Sequence, residues 1–205
     1  MGLNRMFFYQ HLHDSLFTKG LTQSQVDGLE AILNEWEGKH AAEDDRWLAY
    51  MLATAYHETG RTMQPVRETF ANSDEQAIAR LQKAYQAGRM PWVKKPYWTR
   101  DSNGQSWYGR GLVQLTHKAN YDAMKKVLDV NLTGDPDLAL DMDVSVRILF
   151  YGMIKGSFTG HKLGDYFSAA KDDWINARRI INGLDCAKDI AIYGRQFYAA
   201  LSYTV

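Results

Sequence analysis

Two carboxylates bracket the stretch His57-Glu58-Thr59-Gly60-Arg61-Thr62-Met63-Gln64-Pro65-Val66-Arg67-Glu68. Two acids flanking a cleft are what glycosidic hydrolysis needs: one protonates the leaving oxygen, and the other activates a water or attacks the sugar. Met51, Thr54, Ala55 and Glu58 fall at i, i+3, i+4 and i+7, so Glu58 shares a helix face with apolar residues. A carboxyl there is partly desolvated, which favours the protonated form and suits a general acid. A helix-end glutamate turned to solvent is the plain alternative. Glu68 follows Arg67 in a proline-containing loop where surface acids are common, and Glu75 and Asp101 stand behind it as alternative bases.

A second group of polar residues lies in Tyr108-Gly109-Arg110-Gly111-Leu112-Val113-Gln114-Leu115-Thr116, followed by Asn120-Tyr121. Glycines on both sides of Arg110 permit a tight backbone path. Gln114 and Thr116 alternate with Val113 and Leu115 as in a strand with one polar face, offering an amide and a hydroxyl to a sugar or a water. The segment is no phosphate loop, because the required spacing and lysine are missing. Farther on, Asn182 precedes Gly183 and reads by itself as a helix end. Arg195, on the last expected helix, could reach Asp185 or a catalytic carboxylate, with a solvated arginine as the alternative.

Metal chemistry finds no footing in the pattern. His57-Glu58 opens like a zinc-protease motif, but position 61 is arginine where a second histidine is needed. His11 and His13 lie two apart and would face different sides of a helix. Cys186 is the one cysteine, so no intramolecular disulfide forms, which fits folding in a reducing compartment. No cofactor is expected.

These residues need a scaffold, and the patterning predicts a mostly helical one. Thr22 with Gln25 reads as a capping box ahead of Val26, Leu29, Ile32, Leu33 and Trp36. A second helix is expected from Asp44 or Asp45 to about Thr59, stopped by Gly60. Pro65, Pro91 and Pro96 mark residues 61–110 as irregular around one helix at 74–87, a region type that commonly carries a binding site. Asp101-Ser102-Asn103-Gly104 between Tyr97-Trp98 and Trp107-Tyr108 predicts a short hairpin. Helices are expected at about 117–129, 143–155, 173–182 and 187–202.

At 205 residues, with 45% hydrophobic and 23% charged residues, the chain suits one globular domain or two small lobes. Its formal net charge of zero gives no global field for nucleic acid or an anionic membrane. The apolar patch Met6-Phe7-Phe8-Tyr9 is too short for a signal peptide, and nothing approaches the ~20 apolar residues of a membrane span. Synthesis in the cytoplasm is the expectation.

Taken together, His57-Glu58-Thr59-Gly60, the Gly-Arg-Gly-Leu-Val-Gln-Leu-Thr segment with Asn120-Tyr121, and Ile180-Ile181-Asn182-Gly183 resemble glycoside hydrolase family 19 over residues 44–200. That family holds chitinases and many phage endolysins, and the resemblance is to the endolysin branch. It implies a mostly α, lysozyme-like, two-lobed α+β fold with a small β hairpin and a substrate groove between the lobes. It also implies metal-free hydrolysis with inversion. Glu58 matches the general acid and Thr116 the residue that helps hold the attacking water. Gln114, Asn120 and Asn182 match groove residues, while Asp185 and Arg195 match an acid and an arginine that pair near the catalytic acid. Glu68 fits the shorter spacing of the endolysin branch as base, and an inverting pair would be separated by roughly 6.5–9.5 Å. Tyr108 and Trp107 are expected to contact sugar.

The organisation expected from the resemblance is a helical extension at 1–40 packed on a catalytic domain at 41–205. The expected partner is the glycan strand of peptidoglycan, cleaved at β-1,4 bonds by a monomer released to the wall by a holin-like route, without nucleic acid or stable membrane insertion. Three other readings remain open: a chitinase, a lytic transglycosylase, and a non-catalytic glycan-binding module that would need Trp98, Trp107 and Tyr108 but not Glu58.

Overall fold

The computed structural model describes residues 2–202, which divide by packing into two units, residues 2–64 with 149–202 and residues 65–148. Among the described residues there are seven α-helices and two short antiparallel strand pairs. No helix among them is long and apolar enough to cross a membrane.

In the first unit, α1 (Arg5–Ser15) and α2 (Gln23–Lys39) precede α3 (Asp45–Glu58). The expected capping box is present: Thr22 Oγ1 accepts from the Gln25 N–H at 3.3 Å, and the Gln25 amide oxygen accepts from the Thr22 N–H at 2.8 Å. Asp44 caps α3, and Gly60, with φ of 57°, ends it in the left-handed conformation. From Leu48 to Tyr56 every residue of α3 is buried, so this helix is core on all sides rather than on one stripe. It packs chiefly on α7 (Ala187–Leu201), which α1 also covers. Within this unit α1 packs on α7 and α2 on α3, and the packing of the described residues divides at 64/65 and 148/149. A small hairpin, β3 (Phe167–Ser168) and β4 (Lys171–Asp172), completes the unit together with the short 3₁₀ segment Asn176–Ile180.

The second unit pairs β1 (Val66–Arg67) with β2 (Arg110–Gly111) and carries α4 (Asp74–Gln86) and α5 (Lys118–Leu128). A sixth helix, α6 (Met142–Lys155), begins in this unit and ends in the first. The hairpin expected across 97–108 is absent: those residues form no strand. The turn at Asp101 exists, but its side chain closes it, with Asp101 Oδ1 accepting from the N–H groups of Asn103 at 2.9 Å and Gln105 at 3.1 Å. The strand expected through Val113–Thr116 is also replaced. Residues 112–114 turn, Gln114 takes φ of 54°, and Leu115 comes back to bridge Arg110.

Arg110 explains the tight path. Its guanidinium is 1% exposed and spans the unit's core. It donates to Asp137 Oδ1 at 2.8 Å, Asp74 Oδ1 at 3.0 Å, the Ser106 carbonyl at 2.9 Å and the Tyr121 hydroxyl at 3.2 Å, and it stacks on the Tyr108 ring at 3.8 Å. Gly111 has φ of 91°, and a Cβ there would lie 2.7 Å from both the Ala139 carbonyl oxygen and Ser145 Oγ, so both conformation and space demand glycine.

Candidate active site

Glu58 is the last residue of α3, and its carboxylate is 16% exposed. Glu58 Oε1 accepts from Arg178 Nη1 at 2.5 Å. Arg178 is 3% exposed and also donates to Asp185 Oδ2 and the Asp185 carbonyl, at 3.3 and 3.2 Å. Burial works against its charge, but Glu58 and Asp185 outweigh that and raise its pKa above the ordinary arginine value. Thr59 is structural: its hydroxyl donates to the Ala55 carbonyl at 2.7 Å and accepts from the Met63 N–H at 3.0 Å, pinning the reversal after the helix.

On the second unit, Glu68 is held at both oxygens. Oε1 accepts from the Tyr97 hydroxyl at 2.7 Å and Oε2 from the Gly109 N–H at 2.8 Å. Burial, reinforced by the neighbouring Glu68 carboxylate, raises the Tyr97 pKa, so the phenol keeps its proton and donates it to the hydrogen bond. Gly109 is the meeting point, since a Cβ on it would lie 2.8 Å from Gln114 Oε1 and 3.2 Å from Thr116 Oγ1. The Gln114 amide donates to the Val66 and Gly111 carbonyls at 3.0 and 3.1 Å, leaving its oxygen turned to Gly109. Thr116 donates its hydroxyl proton to the Gln114 carbonyl at 2.7 Å, so toward a water it can only accept. A water that donates one proton to Glu68 and the other to Thr116 Oγ1 matches this set of vacant lone pairs. Asn120 donates to the Thr116 carbonyl at 2.8 Å and steadies the same turn.

The family model of glycoside hydrolase family 19, described as chitinase class I, matches residues 37–161. The chain belongs to that family. Chitinase C from Streptomyces griseus is 18% identical with a TM-score of 0.61, the alignment covering 98% of this chain and 77% of that one. A bacterial family 19 chitinase is 21% identical with a TM-score of 0.54, covering 98% and 96%. No curated protein matches by sequence. The mostly helical fold is thus that of family 19, and the chain is a glycoside hydrolase.

Several residues of this family 19 hydrolase stand elsewhere than the sequence suggested. Arg195 is not the cation beside Glu58. It is exposed on α7 with its guanidinium over the Trp174 ring at 5.6 Å, and Arg178 takes the expected place. Asp185 does belong to that cluster, through Arg178. Tyr108 cannot contact a sugar, because it is fully buried, with its hydroxyl bonded to Asp74. Trp107, by contrast, stays accessible to a ligand: although 6% exposed, with its indole N–H donating to Asp101 Oδ2 at 3.1 Å, it lines an open cavity together with Tyr97. Asn182 is exposed, and its side-chain oxygen accepts from the Gly183 N–H at 2.9 Å, a turn closure that leaves its amide NH₂ outward.

The alternative bases are committed to structure. Asp101 is desolvated, which by itself would raise its pKa, but the Gln105 and Asn103 backbone and the Trp107 indole hold it below the usual carboxylate value. Glu75 is mostly exposed and pairs with Arg100 at 2.8 Å. Tyr97 was visible in the sequence only as a flank of the expected hairpin, and its link to Glu68 runs across residues that no local pattern connects. Among the described residues no group of three or more His, Cys, Asp or Glu is arranged to hold a metal.

The exchange of Arg178 for Arg195 gives a prediction. Arg178→Gln removes the buried cation that donates to Glu58 Oε1 at 2.5 Å and to Asp185, and losing a hydrogen bond to a charged group should cost roughly 1.5–3 kcal/mol of stability. Arg178→Lys keeps the charge but not the fork and recovers part of the loss, while Arg195→Ala changes the melting temperature little. A larger loss from Arg195→Ala than from Arg178→Gln contradicts the assignment.

Proposed function

We propose that this family 19 hydrolase cleaves the β-1,4-linked glycan of peptidoglycan, with inversion, using Glu58 as general acid and Glu68 as general base. The observation that carries the chemistry is the convergence of Glu68, Gln114 and Thr116 on Gly109, a set fit to orient and deprotonate one water. Glu58 gives its proton to the glycosidic oxygen as the C1–O bond breaks. Water attacks C1 from the opposite face, and Glu68 takes the proton it releases. Each carboxyl ends with the charge state the other began with, and solvent exchange resets both. The preference for peptidoglycan is supported by the resemblance of the His-Glu-Thr-Gly and Gly-Arg-Gly-Leu-Val-Gln-Leu-Thr segments to the endolysin branch. The single cysteine fits an enzyme made in the cytoplasm and released to the wall.

The test is product analysis on purified peptidoglycan. NMR of the first-formed reducing ends should show the α anomer, and the product masses should include the added water. A β anomer first, or an anhydro product, overturns inversion or hydrolysis respectively. Glu68→Gln should lower turnover by about 10²-fold or more with glycan binding largely intact. The fold tolerates this change, since the amide oxygen can still accept from Gly109 while Tyr97 turns its hydroxyl to accept from the new NH₂. Normal turnover by Glu68→Gln would assign the base elsewhere. A chitinase reading has the family description and the similar solved structures in its favour. Higher kcat/KM on chitin oligomers than on peptidoglycan would establish it instead.

A further inference from the structure

A cavity of about 520 Å³ opens in the second unit beside the Glu68 cluster, and Tyr97 belongs to both. Its walls include the Tyr97 and Trp107 rings, and its charged lining is Lys95, Arg100 and Lys118 against the single acid Asp101. Asp101 is occupied by the turn it closes and by the Trp107 indole. Arg100 is engaged with Glu75 at 2.8 Å and the Gly104 carbonyl at 2.6 Å, and Lys118 with Asp122 at 2.8 Å while lying over the Trp107 ring at 5.7 Å. Lys95 differs: among the described residues it meets no carboxylate. The cavity wall also includes His117 and Lys118, the start of α5, where the cap position has no side-chain acceptor. The first N–H groups of that helix add positive potential. Aromatic walls, an uncompensated ammonium and a helix N-terminus together suit a sugar that carries a carboxylate.

We infer that this cavity is a subsite for an acidic amino sugar, with Lys95 reading a carboxylate borne by the glycan. The inference rests on the peptidoglycan reading and deepens it, since chitin is neutral throughout whereas every second sugar of peptidoglycan carries a lactyl ether, free as an acid or extended by a peptide that ends in carboxylates. Tyr97 couples the two sites: a sugar seated against its ring lies next to the carboxylate its hydroxyl holds. Lys95 touches none of the catalytic groups, so its contribution is to substrate choice.

The experiment compares wild type and Lys95→Gln on three substrates: a neutral chitin oligosaccharide, intact peptidoglycan, and peptidoglycan whose carboxyls have been amidated with carbodiimide and ammonia. The expected result is a rise of about three- to tenfold in KM on intact peptidoglycan with kcat unchanged, the range between an exposed ion pair and a charge-assisted hydrogen bond. KM on chitin should not move, and amidation should erase the difference between the two proteins. Peptide-free glycan, which exposes the lactyl acid, separates the two carboxylate sources: a larger Lys95 effect there assigns the lactyl group, a smaller one the peptide. An equal KM rise on chitin, or no rise on intact peptidoglycan, overturns the inference. A binding arm keeps its failure distinct from failure of the peptidoglycan reading. N-acetylmuramic acid should shift the Trp107 indole N–H resonance in wild type and not in Lys95→Gln, whichever polymer is cleaved. An equal shift with neutral N-acetylglucosamine overturns the assignment of the cavity.

Discussion

Glu58→Gln loses roughly 10²–10⁴-fold in kcat, the range for removal of a general acid, and falls near the upper end because the leaving sugar oxygen is a poor leaving group without a proton. The substitution is close to silent for the fold. The amide oxygen can still accept from Arg178 Nη1, and Arg178 keeps its contacts to Asp185. KM should change little, which separates loss of the transition-state interaction from loss of binding. Retention of more than about a tenth of wild-type turnover, on that scale, removes Glu58 from the role.

The largest stability effect is expected at Arg110. Arg110→Met deletes a guanidinium that satisfies two carboxylates, a carbonyl and a phenol, leaving Asp74 and Asp137 to face a side chain that cannot donate. Breaking a buried pair from one side typically costs ~3–5 kcal/mol. At ~2–4 °C per kcal/mol for a chain of this size, the melting temperature drops by roughly 10 °C. Arg110→Lys keeps the charge but not the fork, so it recovers part of the loss. The pH dependence has a definite sign. Asp74 is desolvated, yet the Tyr108 hydroxyl and Arg110 hold its pKa below the usual value. Its contribution is therefore full above the unfolded pKa of about 4 and is lost as pH falls through the lower folded value. Arg110→Met should flatten that acid-side loss. A destabilisation under about 1 kcal/mol, the ordinary cost of a point substitution, would show that the network adds little.

Local signals in this sequence were readable where a side chain acts on its own neighbourhood. Thr22, Asp44 and Gly60 set helix ends within one turn, and the helices at Asp74, Lys118, Met142 and Ala187 begin within one residue of where periodicity puts them. The pairing of Val66–Arg67 with Arg110–Gly111 was not readable, because each strand is two residues long and the partners are remote in the chain. The alternation in Val113–Thr116 misled for a related reason. Gly111 and the left-handed Gln114 reverse the chain, and apolar–polar alternation carries no record of φ. Motif order identified Glu58 and the Glu68–Thr116 group as candidates, but it could not choose between two arginines for one carboxylate. Arg178 and Arg195 are alike in sequence, and what separates them is that one is inside the core and the other lies on an indole at the surface.

The order in which ribosomes deliver this chain is at odds with the order in which its parts can be completed. The segment Leu48–Tyr56 is buried throughout, yet its main cover, α7, is synthesised only after residues 59–186 have emerged. The second unit is continuous from residue 65 to 148 and can close as soon as it is made, while the earlier segment waits with an uncovered apolar helix. Closing so long a loop adds only slowly growing entropy, so the final structure loses little by it, but the waiting time is real. Nascent chains halted before residue 187 should therefore be sticky and protease-sensitive around α3, and a chaperone that shields that helix should raise the yield of active enzyme.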